Sequence, residues 1–460
     1  MLCLVASLFC TVYGQSKVLS LDETLNIIRK YHPVAKQASL SVSIAEASLT
    51  ANRGAFDPSI YLRNERKTFD GKNYFSYTNQ ELKIPTWFGV DVKVGFENNI
   101  GDRVEPMFSP GKSTYAGLLI PLLKNLLFDK RRAAVQQGKI MVNLSKQDRL
   151  LAINDLLFEA ADAYWAWVAA YQSYVILSNT LLINTQRFEN VKQQFVGGDR
   201  AGIDTTEALS QLQNIESLQI QSWLNLQKQR LLLSNYLWNE SDVPYEMSED
   251  IVPDSSWNSV SIQEYLLPNL TEAIYTAVNT HPKLLSLGYK VNMLDVDKRA
   301  KFQGLLPTFD INYNFLSKGY DTKGFFGTAL FNNNYKYGFQ LGMPLFQRQS
   351  RGEYTMAKLK LKSQQLEKSQ QSLEIENKVK SYFNEIVAMQ KQVTLFDKNL
   401  KNQQLLLVAE ETKFSIGESS LFLVNSRENK LLETQQKLAE LKTKFFKSMA
   451  ALQWSVGQLR

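Results

Sequence analysis

The sequence predicts a mainly helical chain with an internal duplication, in which two very long antiparallel coiled-coil hairpins are joined to sets of membrane-type β-strands. Three observations carry this fold class. The stretches Phe195-Val196-Gly197-Gly198 and Phe414-Ser415-Ile416-Gly417 break two long apolar-periodic segments in the same way, 219 residues apart. The segments that lead into them share one heptad register. Between prolines, other segments alternate strictly between apolar and polar residues.

Composition sets the outer limits. The chain has 460 residues, 44% apolar and 21% charged, which excludes general disorder. Its net charge of +7 is small, and the basic residues are mixed with acidic ones along helical patterns, which argues against nucleic-acid binding. Residues 1–14 form an apolar run ending in Val12-x-Gly14 and read as a secretory signal peptide, although the basic n-region is missing. Both cysteines, Cys3 and Cys10, lie inside it, so the mature chain is expected to carry no disulfide or thiol chemistry. No later run of about 18 uninterrupted apolar residues follows, so no membrane-spanning helix is expected. A secreted chain of this kind is periplasmic, extracellular or part of an outer-membrane β-barrel.

The duplication runs through the whole mature chain. Tyr31-His32-Pro33 matches Thr280-His281-Pro282, and Phe56-Asp57-Pro58 matches Leu305-Leu306-Pro307, both at an offset of 249. Ile120-Pro121-Leu122-Leu123 matches Met343-Pro344-Leu345-Phe346 at 223, so the first copy holds 26 extra residues between its prolines 58 and 121. The expected organisation is a first repeat at 15–237, with strands about 58–121 and a helical hairpin about 124–237. An acidic connector follows at 238–268. The second repeat covers 269–460, with strands about 308–344 and a hairpin about 347–456.

The hairpins rest on heptads. Val379, Ile386, Val393, Leu400, Leu407 and Phe414 form one apolar row, with Tyr382, Met389 and Phe396 as the second. The first copy keeps the register in Ala160, Trp167, Tyr174, Leu181, Phe188 and Phe195, with Ala163, Ala170 and Leu177. No proline interrupts 122–195 or 345–414, so each helix can run for about 65 residues, roughly 100 Å. Proline-free partners follow at 203–237 and 421–456. Gly198 and Gly417 are therefore expected to supply the left-handed residue at two hairpin tips, with Asp204 capping the first returning helix.

The strands rest on alternation. Phe309–Phe315, Tyr335–Met343 and Val90–Glu97 alternate apolar with polar residues, and 59–68, 74–84 and 113–121 are less regular candidates. Lengths of seven to nine residues suit a membrane barrel with aromatics toward lipid and polar or small residues toward a wet lumen. A soluble antiparallel sheet shows the same alternation. Four to six strands cannot close a barrel alone, and open edges cannot face lipid. Either the sheet is soluble or several chains share one barrel: a trimer gives 12 strands from four each, or 18 from six each.

The duplicated order of proline, strands, proline, long helix and tip, with the Pro121 and Pro344 strand exits and the Phe195-x-x-Gly198 and Phe414-x-x-Gly417 tips, resembles the outer membrane efflux protein family, the TolC-like channel-tunnels. The resemblance covers about residues 18–458. It implies a homotrimer with a transmembrane β-barrel in the outer membrane, an α-helical barrel in the periplasm and an equatorial domain around the helices. It further implies that the tips, here Phe195, Gly198, Asp204, Phe414, Gly417 and Leu421, dock a periplasmic adaptor (a membrane fusion protein). That adaptor links to an inner-membrane pump or ABC transporter of a tripartite efflux or type I secretion system. The family's acidic ring and latch after the second tip fall on Ser419, Leu423 and Ser426, so that pattern is absent and cation selectivity does not carry over. Asp199, Arg200 and Glu418 are the nearby candidate tunnel-entrance charges.

Other residues take structural readings. His32 and His281 occupy equivalent junctions, and two distant histidines do not make a metal site. Residues 238–268 hold seven acidic residues and no basic one, as expected of a solvated connector. Lys130-Arg131-Arg132 reads as a solvated helix start, and Trp165, Trp167, Tyr171 and Tyr174 as packing. No Ser-His-Asp set, P-loop or Gly-rich nucleotide motif occurs, so neither an enzyme nor a cofactor is expected. The competing class is a soluble periplasmic coiled-coil adaptor or scaffold, which usually has one hairpin rather than two.

Overall fold

A computed structural model describes residues 17–104, 107–262, 265–320 and 333–459. The signal segment 1–14, Glu264 and residues 321–332 of the second strand loop lie outside the described residues. In chain order the elements are β1 (Lys17–Leu19), α1 (Leu21–Tyr31), α2 (Pro33–Arg53), β2 (Ser59–Phe69), β3 (Lys72–Pro85), β4 (Asp91–Ile100), β5 (Gly111–Pro121), α3 (Lys130–Val196) and α4 (Gly202–Ser234). The second half adds β6 (Ile251–Pro253), α5 (Ser256–Ser259), α6 (Leu270–Thr280), α7 (Pro282–Gln303), β7 (Thr308–Lys318), β8 (Tyr335–Gly342), α8 (Arg348–Ser415) and α9 (Leu421–Val456).

Both repeats open alike. Ser20 caps α1 by accepting the Glu23 N–H at 3.2 Å, and Asn269 caps α6 by accepting the Thr271 N–H at 2.9 Å. His32 and His281 end these helices because proline follows, and the residue before proline is pushed out of the helical region. Each proline then starts α2 or α7, where its missing N–H is not needed. His32 is buried beside the Tyr236 ring, and its Nδ1 accepts the Val34 N–H at 3.2 Å, which fits the structural reading of the junction.

The described residues form two compact units: one takes those up to Ser39, Asp148–Pro282 and those from Ser372 on; the other takes Leu40–Gln147 and Lys283–Gln371. In the first unit, α3 turns back into α4 and α8 into α9. α3 and α8 have 67 and 68 residues, each about 100 Å long. The heptad row is buried at Ala160, Trp167, Ala170, Leu177, Val379, Ile386 and Val393, and only half-buried at Tyr174, Leu181, Phe188, Leu400, Leu407 and Phe414. Packing is thus densest away from the tips. There Trp165 stacks on Phe446 at 4.9 Å and meets Trp257 edge-on, and the Tyr164 hydroxyl donates to the Leu19 carbonyl at 3.0 Å. The aromatic cluster on α3 is core, as its spacing implies.

The connector is more than a solvated link. Its acidic side chains are mostly exposed, but Met247, Ile251 and Trp257 enter the core, and β6 pairs in parallel with β1. Composition hid this, because the few apolar residues that dock are scattered among the charges.

The second unit carries one antiparallel sheet of six strands in the order β2-β3-β4-β5-β7-β8, so the sheet joins the two repeats through β5 and β7. Among the described residues six strands are observed, the larger of the two counts that alternation left open; the extra residues of the first repeat supply an added hairpin. The long helix of that repeat starts at Lys130, not near 124. Asn125 takes φ +73°, and Asp129 caps α3 by accepting the Arg132 N–H at 2.8 Å. The Lys130-Arg131-Arg132 run is likewise not simply solvated. Arg131 bonds Asp91 at 3.0 Å and Asp129 at 3.1 Å, while Arg132 bonds Asp129 and donates to the Asn125 carbonyl at 2.6 Å. Burial alone would raise the Asp129 pKa, but these N–H and guanidinium donors outweigh it and hold the carboxyl below its ordinary range.

Candidate functional site: paired helical tips and a polar sheet face

Each tip is built by the same local chemistry. After α3, the Asp199 N–H bonds the Gln194 carbonyl at 2.9 Å and Gly198 N–H bonds Phe195 at 3.0 Å; after α8, Glu418 N–H bonds Lys413 at 2.9 Å and Gly417 N–H bonds Phe414 at 3.2 Å. These bonds satisfy the last carbonyls only if the residue between them is left-handed, and Gly198 and Gly417 take φ +83° and +84°. A side chain at either glycine would point into open space, so backbone conformation alone selects glycine there.

The two tips are fastened to each other. Arg200 donates to the Phe414 carbonyl at 3.0 Å and lies 4.0 Å above the Phe414 ring. Val191, Ala208 and Leu421 form a buried knot with Phe188 and Phe414 packed against it. Further along, Arg187 bridges Glu428 at 2.7 Å and Glu411 at 3.2 Å, and the returning helices meet in parallel through Gln211–Asn429 and Glu207–Asn425.

This geometry corrects part of the sequence-based site. Leu421 is 1% exposed and packs the tips together, so it offers no docking surface. Arg200 is committed to Phe414 and is not a free entrance charge. Asp204 does not cap α4: Ala201 holds that position without a side-chain bond, and Asp204 sits in the first turn, where its charge still suits the helix dipole. Asp199 and Glu418 are exposed, and Phe195 is 46% exposed. Sequence reasoning missed the apolar residues that the tips actually present, Val196, Ile203, Ile416 and Phe422, all about two-thirds exposed or more. They stood outside the heptad rows, and that was the available signal.

Strand alternation sorts most of the sheet's residues by polarity, with polar residues such as Asn64, Arg66, Gln80 and Asn98 sharing the apolar face. One face carries Arg63, Glu65, Tyr77, Asn79, Glu81, Lys93, Glu97, Ser113, Asn314 and Lys336; the other carries Ile60, Leu62, Val92, Val94, Leu118, Ile311, Phe339 and Leu341. The polar face lines a cavity of about 830 Å³. Within it Glu97 accepts from Tyr77 at 3.2 Å and Ser113 at 3.0 Å, and Tyr115 donates to Glu81 at 2.7 Å. Phe108, from the β4–β5 loop, packs on Tyr77 at 4.3 Å, and Lys336 donates to the Met107 carbonyl at 3.0 Å. Gly95 is required beneath the Tyr115 ring, since a Cβ there would lie 2.5 Å from it. The opposite face is exposed apolar surface: Ile60, Leu62, Phe339 and Leu341 are all at least two-thirds exposed. Among the described residues no group of three or more His, Cys, Asp or Glu is placed to hold a metal, and no helix is long and apolar enough to cross a membrane.

Comparison with known proteins gives one family. Residues 273–458, in the second repeat, match the family described as outer membrane efflux protein. No curated protein sequence matches the chain. Among solved structures, the Campylobacter jejuni CmeC outer membrane channel is 13% identical with a TM-score of 0.65, covering 95% of this chain and 85% of that one. VceC, an outer membrane protein of Vibrio cholerae, is 12% identical with a TM-score of 0.65, covering 95% and 96%. The open-state MtrE outer membrane channel of Neisseria gonorrhoeae is 12% identical with a TM-score of 0.66, covering 96% and 89%. At such identities the structural likeness speaks for the fold, and it takes in both repeats. The second repeat thus matches the outer membrane efflux protein family, and the duplicated tips and six-stranded sheet share the fold of these outer membrane channels.

Proposed function

We propose that three copies of this chain form the outer-membrane exit duct of a tripartite efflux or type I secretion system. The single observation that carries the membrane part is the sheet, which has one polar face, one exposed apolar face and, among the described residues, two unpaired edges. In water the apolar face would be a liability; in lipid it is the required exterior, and the polar face becomes the lumen. Because lipid tolerates no open edge, the sheet must be completed by further copies. The helical hairpins then project into the periplasm as a tunnel.

The tips dock a periplasmic adaptor through Val196, Ile203, Ile416 and Phe422, beside the glycine turns. The adaptor connects the duct to an inner-membrane pump or ABC transporter, which supplies the energy. The duct itself is passive and opens when its hairpins shift relative to one another. Two measurements test this. The chain should fractionate with outer membranes and need detergent for release; full solubility without detergent favours a soluble scaffold instead. Gly198→Trp and Gly417→Trp should abolish efflux in cells while the trimer still assembles. Normal efflux in both variants removes the tip-docking role.

A further inference from the structure

We propose that copies of this chain join through β8 of one and β2 of the next in a single register, with Lys336 opposite Glu65. The pairing rests on the three-copy duct above and specifies its seam. β2 and β8 are the two edges of the sheet, and among the described residues neither has a neighbour on its outer side. β2 leads out from the α2 end of the repeat and β8 leads back to α8, so the two edges meet antiparallel, as every other pair in the sheet does.

Two independent constraints choose the register. The first is face and charge. Odd residues of β2 and even residues of β8 lie on the polar face, so matching the faces allows only every second register. The neighbouring choices set Lys336 opposite Arg63, Glu65 or Lys67. Like charges directly opposed destabilise a strand pair, so two of the three are disfavoured. The Glu65 register also sets Phe339 against Leu62 and Leu341 against Ile60 on the apolar face.

The second constraint is tilt. Across the sheet one row of partners runs Ser59, Lys83, Lys93, Gly117, Asn314, Lys336. Continuing to Glu65 of the next copy advances the row six residues, from Ser59 to Glu65. Three copies then give 18 strands with a shear of about 18, which sets a tilt of about 35° from ordinary strand spacings. Continuing to Arg63 instead gives about 25°, below the roughly 35–45° of outer-membrane barrels, and Lys67 gives about 43°. Tilt removes the Arg63 register, charge removes the Lys67 register, and Glu65 satisfies both. In the single chain Glu65 bonds Arg63 at 2.7 Å and Lys336 reaches the Met107 carbonyl, both partially solvated arrangements that pairing would supplement.

Cysteine cross-linking of the full-length chain in detergent-solubilised membranes tests this, with the parent chain as background for Cys3 and Cys10. Leu62→Cys with Phe339→Cys, and Arg63→Cys with Gly338→Cys, should give covalent dimers and trimers on oxidation. Phe339→Cys with Ile60→Cys or with Asn64→Cys should give about tenfold less, since diagonal neighbours exceed the Cβ separation a disulfide needs. In addition, Lys336→Glu should lower the temperature at which trimers dissociate, and adding Glu65→Lys should restore it. Trimers that cross-link best at a shifted pair overturn the register alone. Links formed only within one chain overturn it too, because both edges already line one cavity. A parent chain that light scattering finds monomeric removes the three-copy duct and this seam together.

Discussion

His32 shows how one residue ties the junction to solution conditions. Burial holds its imidazole below the ordinary value, with a backbone bond to Asn235 opposing that only in part. The neutral form is therefore the folded form. Its contribution to stability is complete above the unfolded pKa of about 6.5 and is lost as pH falls toward the lower folded value. Thermal melts at about pH 7.5 and about pH 5.5 should show lower stability at the acid end, and His32→Gln should flatten that slope; an unchanged slope would place the acid sensitivity elsewhere. Trp167 makes a simpler case. It is 0% exposed at the centre of the first unit's core, so Trp167→Ala should cost about 3–5 kcal/mol in denaturant unfolding.

At the scale of elements, the hairpins are coupled by side chains of opposite charge rather than by the heptad rows alone. Glu428 is nearly buried and its partner Arg187 is only 15% exposed. Arg187→Ala leaves that carboxylate with its partner gone and should destabilise the tip half of the hairpins by about 2–3 kcal/mol. Glu428→Gln added to it should recover much of the loss, because a neutral amide tolerates burial better; hydrogen exchange along α3 and α9 reads both. The sheet makes a steric prediction. Gly95→Val forces a Cβ into the Tyr115 ring, so it should lower the yield of folded protein, and Tyr115→Ala in the same chain should relieve it. Retention of full yield in the single variant would mean that the ring is free to move aside.

For the whole molecule, what the sequence made legible was whatever repeats or keeps a period. Two tips, two His-Pro junctions and the heptad rows of α3 and α8 each leave a local trace twice, and α9 begins and ends where its proline-free pattern does. The ends of α3 were harder: Leu122 to Phe128 is apolar enough for a helix, and only the left-handed Asn125 and the Asp129 cap delay it to Lys130. The site was legible as backbone and not as surface. Gly198 and Gly417 follow from turn geometry, but Leu421 and Arg200 are turned inward by the opposite hairpin, a contact between residues more than 200 positions apart that no local pattern encodes. The central claim is that each chain contributes six strands to a barrel completed by identical copies. Electron cryo-microscopy of the detergent-purified protein tests it most directly: three copies around one 18-stranded barrel with Phe339 and Leu62 facing outward is the predicted result. A six-stranded sheet closed against its own chain in a monomer would contradict it.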